Sequence, residues 1–382
     1  MAMNTMTVPQ GHFRLQRYPL QKKGPLRAWD AADEYILSYL HEQALPLETS
    51  RVLILNDAFG ALTVALSRYS PCMVSDSLVS QQALLKNLQG NDLHTDSVTL
   101  FDSLQPFNET FDLVIIRIPK NLAMLEDQLH RLRACCHGDT HILAAAMSKH
   151  IHTSTLKLFE RIMGPTTTSL ARKKARLVHS TFDSRLKPGA SPYPGQYMLD
   201  ASGDIYLNHA NVFSREKLDM GSRFLLEHIP QSGEYRDIVD LACGNGVLGI
   251  AAARLNPQAR VGFVDESYMA VESARLNAER LLGDISRCSF RVSDCLQGIN
   301  GQSQDLILNN SPFHQHYVTG DFIAWQMFKE SRQALKPGGE LVVVANRHLG
   351  YHVKLKKLFG SCELVASNRK FVILKAVNPT IP

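Results

Sequence analysis

No stretch of this 382-residue chain approaches the roughly 18–20 consecutive apolar residues of a membrane-spanning helix. Its first residues, MAMNTMTVPQGHFRLQRYPLQKKG, carry basic side chains but no apolar core of the kind an export signal needs. A cytoplasmic protein without a membrane partner is expected. Cys72, Cys135, Cys136, Cys243, Cys288, Cys295 and Cys362 are odd in number and form no C-x-x-C pair, which argues against a disulfide framework and a zinc ribbon. The neighbours Cys135, Cys136 and His137 diverge and have no second pair near them, so no metal is expected. There is no G-K-[ST] phosphate loop, and the three-glycine dinucleotide fingerprint is incomplete. Net charge is also scarce: 41 Lys and Arg against 36 Asp and Glu leave +5, too little for the average charge to select a class of partner.

What is present is apolar material for two cores, at 45% hydrophobic residues and a length suited to two domains. In the second half, apolar runs alternate with segments of helical spacing: DIVDLA, ARVGFVDES, CSFRVSD, DLILNN, ELVVVAN, CELVAS and KFVILKAV read as about seven strands. Continuous apolar strands separated by helices predict a mostly parallel sheet covered on both faces. Lys336-Pro-Gly-Gly339 is read as the stop of a helix over Trp325–Leu335. The first half has the same rhythm. RVLILNDAFGALTVAL parallels DIVDLACGNGVLGIAA, and FDLVIIRIPK parallels DLILNNSPFH. Agreement in order and spacing predicts a duplicated domain. The proline- and glycine-rich KPGASPYPGQ (Lys187–Gln196) reads as the linker, giving domains over 1–188 and 189–382.

The chemistry-bearing residues lie in the second copy. Asp240-Leu-Ala242-Cys-Gly244-Asn245-Gly246 joins a strand to a helix, and its glycines permit a sharp turn and a close approach to a ligand. Asp265 ends the next strand, 19 residues after Gly246, where a carboxylate can accept from both hydroxyls of a ribose. Asp294 ends the third strand, within reach of an adenine amino group. Either Asp240 or Asp294 can equally serve as a turn cap. One strand later, Asn310-Ser311-Pro312-Phe313 follows an apolar run. The alternative there is an ordinary turn with a core phenylalanine. The first copy has lost this set: Ile54 stands for Asp240, Ala58 for Gly244, and Arg117-Ile118-Pro119-Lys120 for the Asn310 segment. Asp57 is shifted in register, and Asp76 lies near the Asp265 position. That copy is expected to bind no cofactor and to serve structure or substrate binding.

Positive charge is concentrated in two places. Lys149 to Lys187 holds nine Lys or Arg against two acids, with Arg172, Lys173, Lys174 and Arg176 at its centre. Arg347 to Lys375 holds seven against one, including Arg347, Lys354, Lys356, Lys357, Arg369 and Lys370. These are either solvated faces or the footprint of a phosphate backbone, and two such clusters in a balanced chain favour the footprint. Phe371, beside Lys370, is expected to point into the core.

The glycine loop, the three acids and the Asn310 motif together resemble the seven-stranded S-adenosylmethionine-dependent methyltransferases, with Ala242 at the family's usual first glycine and Ser311 at a usual proline. The resemblance implies α/β architecture with two tandem Rossmann-like seven-stranded methyltransferase domains, the N-terminal one degenerate. In such a site the amide oxygen of Asn310 and a main-chain carbonyl near Ser311 turn the lone pair of a planar amine toward the methyl, and Phe313 stacks on a swung-out base. The residues alone leave open guanine N2, adenine N6 and a glutamine amide, and also a non-catalytic RNA-binding assembly factor. VFSREKLDMG (Val212–Gly221), just before the first strand, is similar to a segment that covers the cofactor in bacterial rRNA guanine-N2 methyltransferases, which implies binding roles for Phe213 and Asp219. LRAWDAADEYILSYL and ILNDAFGAL are similar to the members acting on the large subunit. That likeness covers nearly the whole chain and implies 23S rather than 16S rRNA as substrate, for an enzyme expected to be a monomer.

Overall fold

A computed structural model describes residues 4–20, 26–310 and 321–380. Contacts divide the chain into unit 1, Met1–Tyr193, and unit 2, Pro194–Pro382. The division falls a few residues past the expected linker start. Ser191 Oγ donates to Asp127 Oδ1 (2.7 Å) and Tyr193 Oη to Glu126 Oε2 (3.1 Å), which ties the linker to unit 1.

Unit 1 begins with a hairpin of β1 (Thr5–Val8) and β2 (Gly11–Arg14), followed by α1 (Ala31–Glu42). Then come β3 (Val52–Leu55), α2 (Ala61–Ala65), β4 (Cys72–Ser75), α3 (Leu78–Gln89), β5 (Thr99–Asp102), β6 (Leu113–Arg117), α4 (Leu122–Leu132), β7 (His141–Met147), α5 (Thr153–Ile162), β8 (Thr166–Thr168) and β9 (Ala175–Thr181). Unit 2 repeats the plan. A hairpin of β10 (Gly195–Met198) and β11 (Ile205–Asn208) precedes α6 (Met220–Leu226), β12 (Asp237–Leu241), α7 (Val247–Leu255), β13 (Arg260–Asp265) and α8 (Tyr268–Leu282). It ends with β14 (Cys288–Val292), β15 (Gln304–Asn309), α9 (Asp321–Ala334), β16 (Leu335–Asn346), α10 (Tyr351–Phe359), β17 (Glu363–Ser367) and β18 (Phe371–Val377).

Each unit holds a seven-stranded sheet, ordered β5-β4-β3-β6-β7-β9-β8 in unit 1 and β14-β13-β12-β15-β16-β18-β17 in unit 2. The two orders are identical strand for strand, and in both the last-formed strand runs antiparallel to its neighbours. The central strands bury both faces, as their continuous apolar runs require, while the outer strands β5, β8, β14 and β17 are partly exposed. In β12 and its neighbours, Ile238, Val261, Phe263 and Leu308 pack on one side, and Val239, Leu241, Val264 and Ile307 on the other. Strand order reverses between β12 and β15, and in open α/β sheets the crevice outside the carboxyl ends at such a point takes the ligand.

One local reading changes. Lys336–Gly339 does not separate helix from strand. Pairing passes from Gln304 with Leu335 directly to Leu306 with Glu340, so the segment bulges out of β16, with Gly338 at φ +81°. Among the described residues, no helix is long and apolar enough to cross a membrane.

Candidate active site

The loop after β12 depends on left-handed backbone. Ala242, Gly244 and Gly246 have φ of +61°, +53° and +82°. A Cβ on Gly246 would lie 3.0 Å from Ala274 Cβ, so this glycine also lets α7 close onto α8. A Cβ on Gly244 would meet nothing within 4 Å, which leaves room over the loop. Ala242 bears the cost of a left-handed alanine, about 1 kcal/mol, where glycine would bear less.

Asp240, on β12, is fully buried, and its Oδ2 accepts from Gly249 N at the start of α7 (2.8 Å). Oδ1 is enclosed with no partner among the described residues. Burial, with the nearby charge of Asp265, pushes this carboxyl up to about 7. A carboxyl that holds its proton more tightly folded than unfolded makes stability fall as pH rises from about 4 to about 7, by about 1.4 kcal/mol per pH unit. Asp240→Asn keeps the shape and an acceptor for Gly249. Its stability in urea should therefore depend less steeply on pH over that window, and equal slopes for variant and wild type would refute the assignment.

Asp265 closes β13 and is held from both sides. Oδ2 accepts from Gly244 N (3.0 Å) and Oδ1 from Ser267 N (3.1 Å). A carboxylate at this strand end is placed to accept from a ribose hydroxyl. Asp294 lies just past β14, where Gln297 Nε2 and Gln326 Nε2 donate to its two oxygens, each at 3.1 Å. Gln326, on α9, is a member of the site that no sequence pattern marked. The Asn245 side chain faces away from the crevice. Its Nδ2 donates to Tyr197 Oη (3.0 Å) and Asn208 Oδ1 (2.9 Å), so only its backbone is left for a ligand. Phe213 is 71% exposed.

Asn310 follows β15 directly. Its Nδ2 donates to Asp219 Oδ2 (3.1 Å) and Ser222 Oγ (2.8 Å). Asp219 is the N-cap of α6 and also accepts from Ser222 N (3.0 Å). Two acceptors on the amide nitrogen fix which end of the side chain is the oxygen. That oxygen, Oδ1, is enclosed and has no partner among the described residues. A Cβ on Gly221 would lie 3.5 Å from it and 3.4 Å from the Phe371 ring. Asn309 is fully buried and donates to Leu241 O on the neighbouring strand (3.1 Å), which separates its job from that of Asn310. Ser311, Pro312 and Phe313 lie outside the described residues. Ser222 was not singled out from sequence, although its place three residues after a capping aspartate was a usable signal. Among the described residues, no three His, Cys, Asp or Glu side chains gather as metal ligands.

Unit 1 keeps the backbone of this site and changes its chemistry. Asn56 and Gly60 have φ of +64° and +81°, matching Ala242 and Gly246. Asp57, shifted along the loop, still caps the helix that follows: its Oδ2 accepts from Thr63 N and Thr63 Oγ1, both at 2.8 Å. The residue in the place of Asp265 is Ser75 rather than Asp76, because Ser75 Oγ accepts from Ser77 N (3.1 Å) as Asp265 does from Ser267 N. Arg117 stands where Asn310 does and makes the corresponding contacts. It pairs with Asp30 (3.0 Å), the N-cap of α1, and with Asp33 (3.2 Å), three residues on. A guanidinium thus replaces the neutral amide.

The basic residues occupy matching places in the two units. Ala175 pairs with Met147, and Phe371 with Asn346, so Lys173-Lys174 and Arg369-Lys370 are the same hairpin tip. Arg172 pairs with Glu42 (2.8 Å), and its guanidinium lies 4.9 Å from the Tyr35 ring centre; Lys173 pairs with Glu34 (2.7 Å). Lys174, Arg176, Lys356 and Arg369 are exposed. Lys354 and Lys357 sit over Tyr351 and Trp325, at 5.0 and 5.8 Å, on one exposed side of α10. Arg347 donates to Asn368 O (3.0 Å) and Lys370 sits over Phe371 (5.4 Å), whose ring is in the core as expected.

Comparison with known proteins adds family to geometry. Residues 3–184 match the family described as RLMG N-terminal domain, and residues 205–375 match the methyltransferase small domain. The chain is 48% identical over 379 residues to ribosomal RNA large subunit methyltransferase G of Streptomyces coelicolor, covering 97% of this chain and all of that one. It is 49% identical over 364 residues to the protein of the same name from Aeromonas salmonicida, covering 95% and 96% of the two chains. Among solved structures, a T. thermophilus 16S rRNA N2 methyltransferase in complex with AdoMet and guanosine superposes with a TM-score of 0.76 at 18% identity, covering 98% of this chain and 97% of that one.

Proposed function

The chain belongs to the ribosomal RNA large subunit methyltransferase G family, and on that premise we propose that it methylates the 2-amino group of one guanine in 23S rRNA. The methyl comes from S-adenosylmethionine, which when bound supplies it as an electrophile on a sulfonium. The crevice fits that cofactor: there is open space over Gly244, and Asp265 and Asp294 stand at successive strand ends as hydrogen-bond acceptors.

The observation that carries this reading is the enclosed Oδ1 of Asn310, which has no partner among the described residues. A guanine 2-amino group is a weak nucleophile because its lone pair is delocalised into the ring. Accepting one of its N–H bonds at Oδ1 turns that lone pair out of conjugation and fixes its direction. Asp219 and Ser222 hold the amide from behind, so the oxygen is oriented before substrate arrives. The Ser311 carbonyl is the second acceptor and Phe313 the stacking face. A base inside a helix must first be swung out to reach this pocket. The exposed cations of both units contact the RNA backbone, and unit 1 serves substrate binding. The enzyme acts in the cytoplasm as a monomer. The 23S rather than the 16S rRNA is favoured because the relatives near 48% identity carry the large-subunit name. Mass mapping of rRNA from cells lacking the gene should show one missing N2-methylguanosine in 23S rRNA. A loss in 16S rRNA, or no loss at all, would refute the proposal.

A further inference from the structure

The carboxyl edge of the unit 1 sheet has lost the acceptors of a nucleoside crevice and gained donors. Ile54, Ser75 and Leu104 stand where unit 2 has Asp240, Asp265 and Asp294. In their place Arg117 ends β6, with Asp30 and Asp33 on one side of its guanidinium, while Nη1 is enclosed with no acceptor among the described residues. The neighbouring strand is β7, where Arg117 pairs with Ala145. Just past its end, Ser148 Oγ is enclosed and likewise unpartnered among the described residues. Two orphaned donors at adjacent strand ends call for an acceptor.

Cations rim the same edge. Lys120 lies three residues past Arg117, and Lys149 and His150 follow Ser148 directly. Ser148 N donates to Lys174 O (2.7 Å), which fastens the Lys173-Lys174 hairpin tip to this edge. Both lysines there are left-handed, at φ +47° and +64°, a conformation that costs about 1 kcal/mol or more for each non-glycine residue. Lys120 is held below its ordinary value by burial and by the charge of Lys149. His150 is lowered by burial and then by Lys120, Lys149 and His152, with Asp30 opposing. These side chains feel one another as like charges, a repulsion that a bound anion relieves.

We propose that this edge of unit 1 binds a backbone phosphate of the substrate RNA, with Arg117 Nη1 and Ser148 Oγ donating to its oxygens and Lys120, Lys149 and Lys174 supplying the surrounding charge. The proposal rests on the rRNA reading above and says which surface the inactive copy contributes. The counterpart of the amine site has become a phosphate seat.

The test uses the full-length protein and protein-free 23S rRNA. Lys120→Ala/Lys149→Ala should weaken RNA binding about tenfold at near-physiological salt. It should also lower the slope of log affinity against log salt by about 0.7–0.9, the share of one phosphate contact. S-adenosylmethionine affinity and the melting temperature should not change. Ser148→Ala, which alters no charge, should weaken binding with no change in that slope. Unchanged RNA affinity and slope in the double variant, with 23S rRNA still methylated, would overturn this inference alone. Wild-type protein that leaves 23S rRNA unmethylated would overturn the reading beneath it, a result read in a separate assay. Inorganic phosphate that protects the site at millimolar concentration, without RNA of equal phosphate content doing better, would overturn the RNA assignment in favour of a free-anion site.

Discussion

Asn310→Ala should lower the methylation rate by about two to three orders of magnitude, the usual scale for losing one preorganised polar contact to a reacting group, with S-adenosylmethionine binding within about twofold of wild type. Rate and affinity separate because the Asn310 amide nitrogen is held by Asp219 and Ser222, and its oxygen, without a partner among the described residues, is the acceptor proposed for the amine. The fold should tolerate the change. Removing the amide takes away one donor to Asp219 and one to Ser222 Oγ, and Asp219 keeps its cap on Ser222 N. Ser222→Ala removes only one of the two acceptors that set the amide's orientation. A smaller loss, about tenfold, should appear in kcat with KM for RNA unchanged, and Ser222→Thr should restore most of it. Single-turnover methylation of 23S rRNA reads all three variants. A wild-type rate in Asn310→Ala would remove the residue from the chemistry.

The same position in the inactive copy should behave in the opposite way. Arg117→Ala should destabilise unit 1 by about 3 kcal/mol, as expected when one partner of a buried ion pair is removed and the other must take up a proton to stay buried. Asp33 is the reason. It is buried, and even beside Arg117 desolvation pushes its carboxyl up to about 7. Arg117 is the largest influence holding it down, so without it the carboxyl rises further and holds its proton at neutral pH. A group with a raised folded-state value stabilises the protein at low pH and loses that contribution as pH rises through the folded value. The deficit of Arg117→Ala relative to wild type should therefore grow as pH rises above about 7, where wild-type Asp33 has given up its proton and the variant's has not, and stay level at lower pH. Urea unfolding at about pH 5.5 and 8 checks this. A deficit below about 1 kcal/mol at pH 8 would show that the pair holds nothing together.

The strands, the duplication and the glycine loop were legible in the sequence because each is a local pattern. Apolar runs such as DIVDL and LVIIR are unambiguous when both sheet faces are covered, and a loop that must turn left-handed shows its glycines. Asp265 was legible for the same reason, since strand length and turn length fix where an acid lands. Asp76 lies near the Asp265 position but one residue past it, because spacing alone does not say which side chain accepts from Ser77 N. Asn245 sits in the loop by sequence yet is turned away by contacts with Tyr197 and Asn208, which are remote in the chain. Gln326 belongs to no motif, and Ser222 carried only the signal of a helix cap. Each reaches the site from a helix outside the strand-end motifs.

By itself, then, the sequence determined two copies of one α/β plan, which copy kept its acids and its asparagine, and where the cations cluster. Only the tertiary structure decided what each polar atom does. It showed that the Asn310 amide is pinned by its nitrogen, that Arg117 makes the same contacts with opposite electrostatics, and that among the described residues the Asn310 oxygen and donors of Arg117 and Ser148 have no partner. The physical reason is that residue type fixes which hydrogen bonds a side chain can make, whereas packing between segments far apart in the chain fixes which remain unmade.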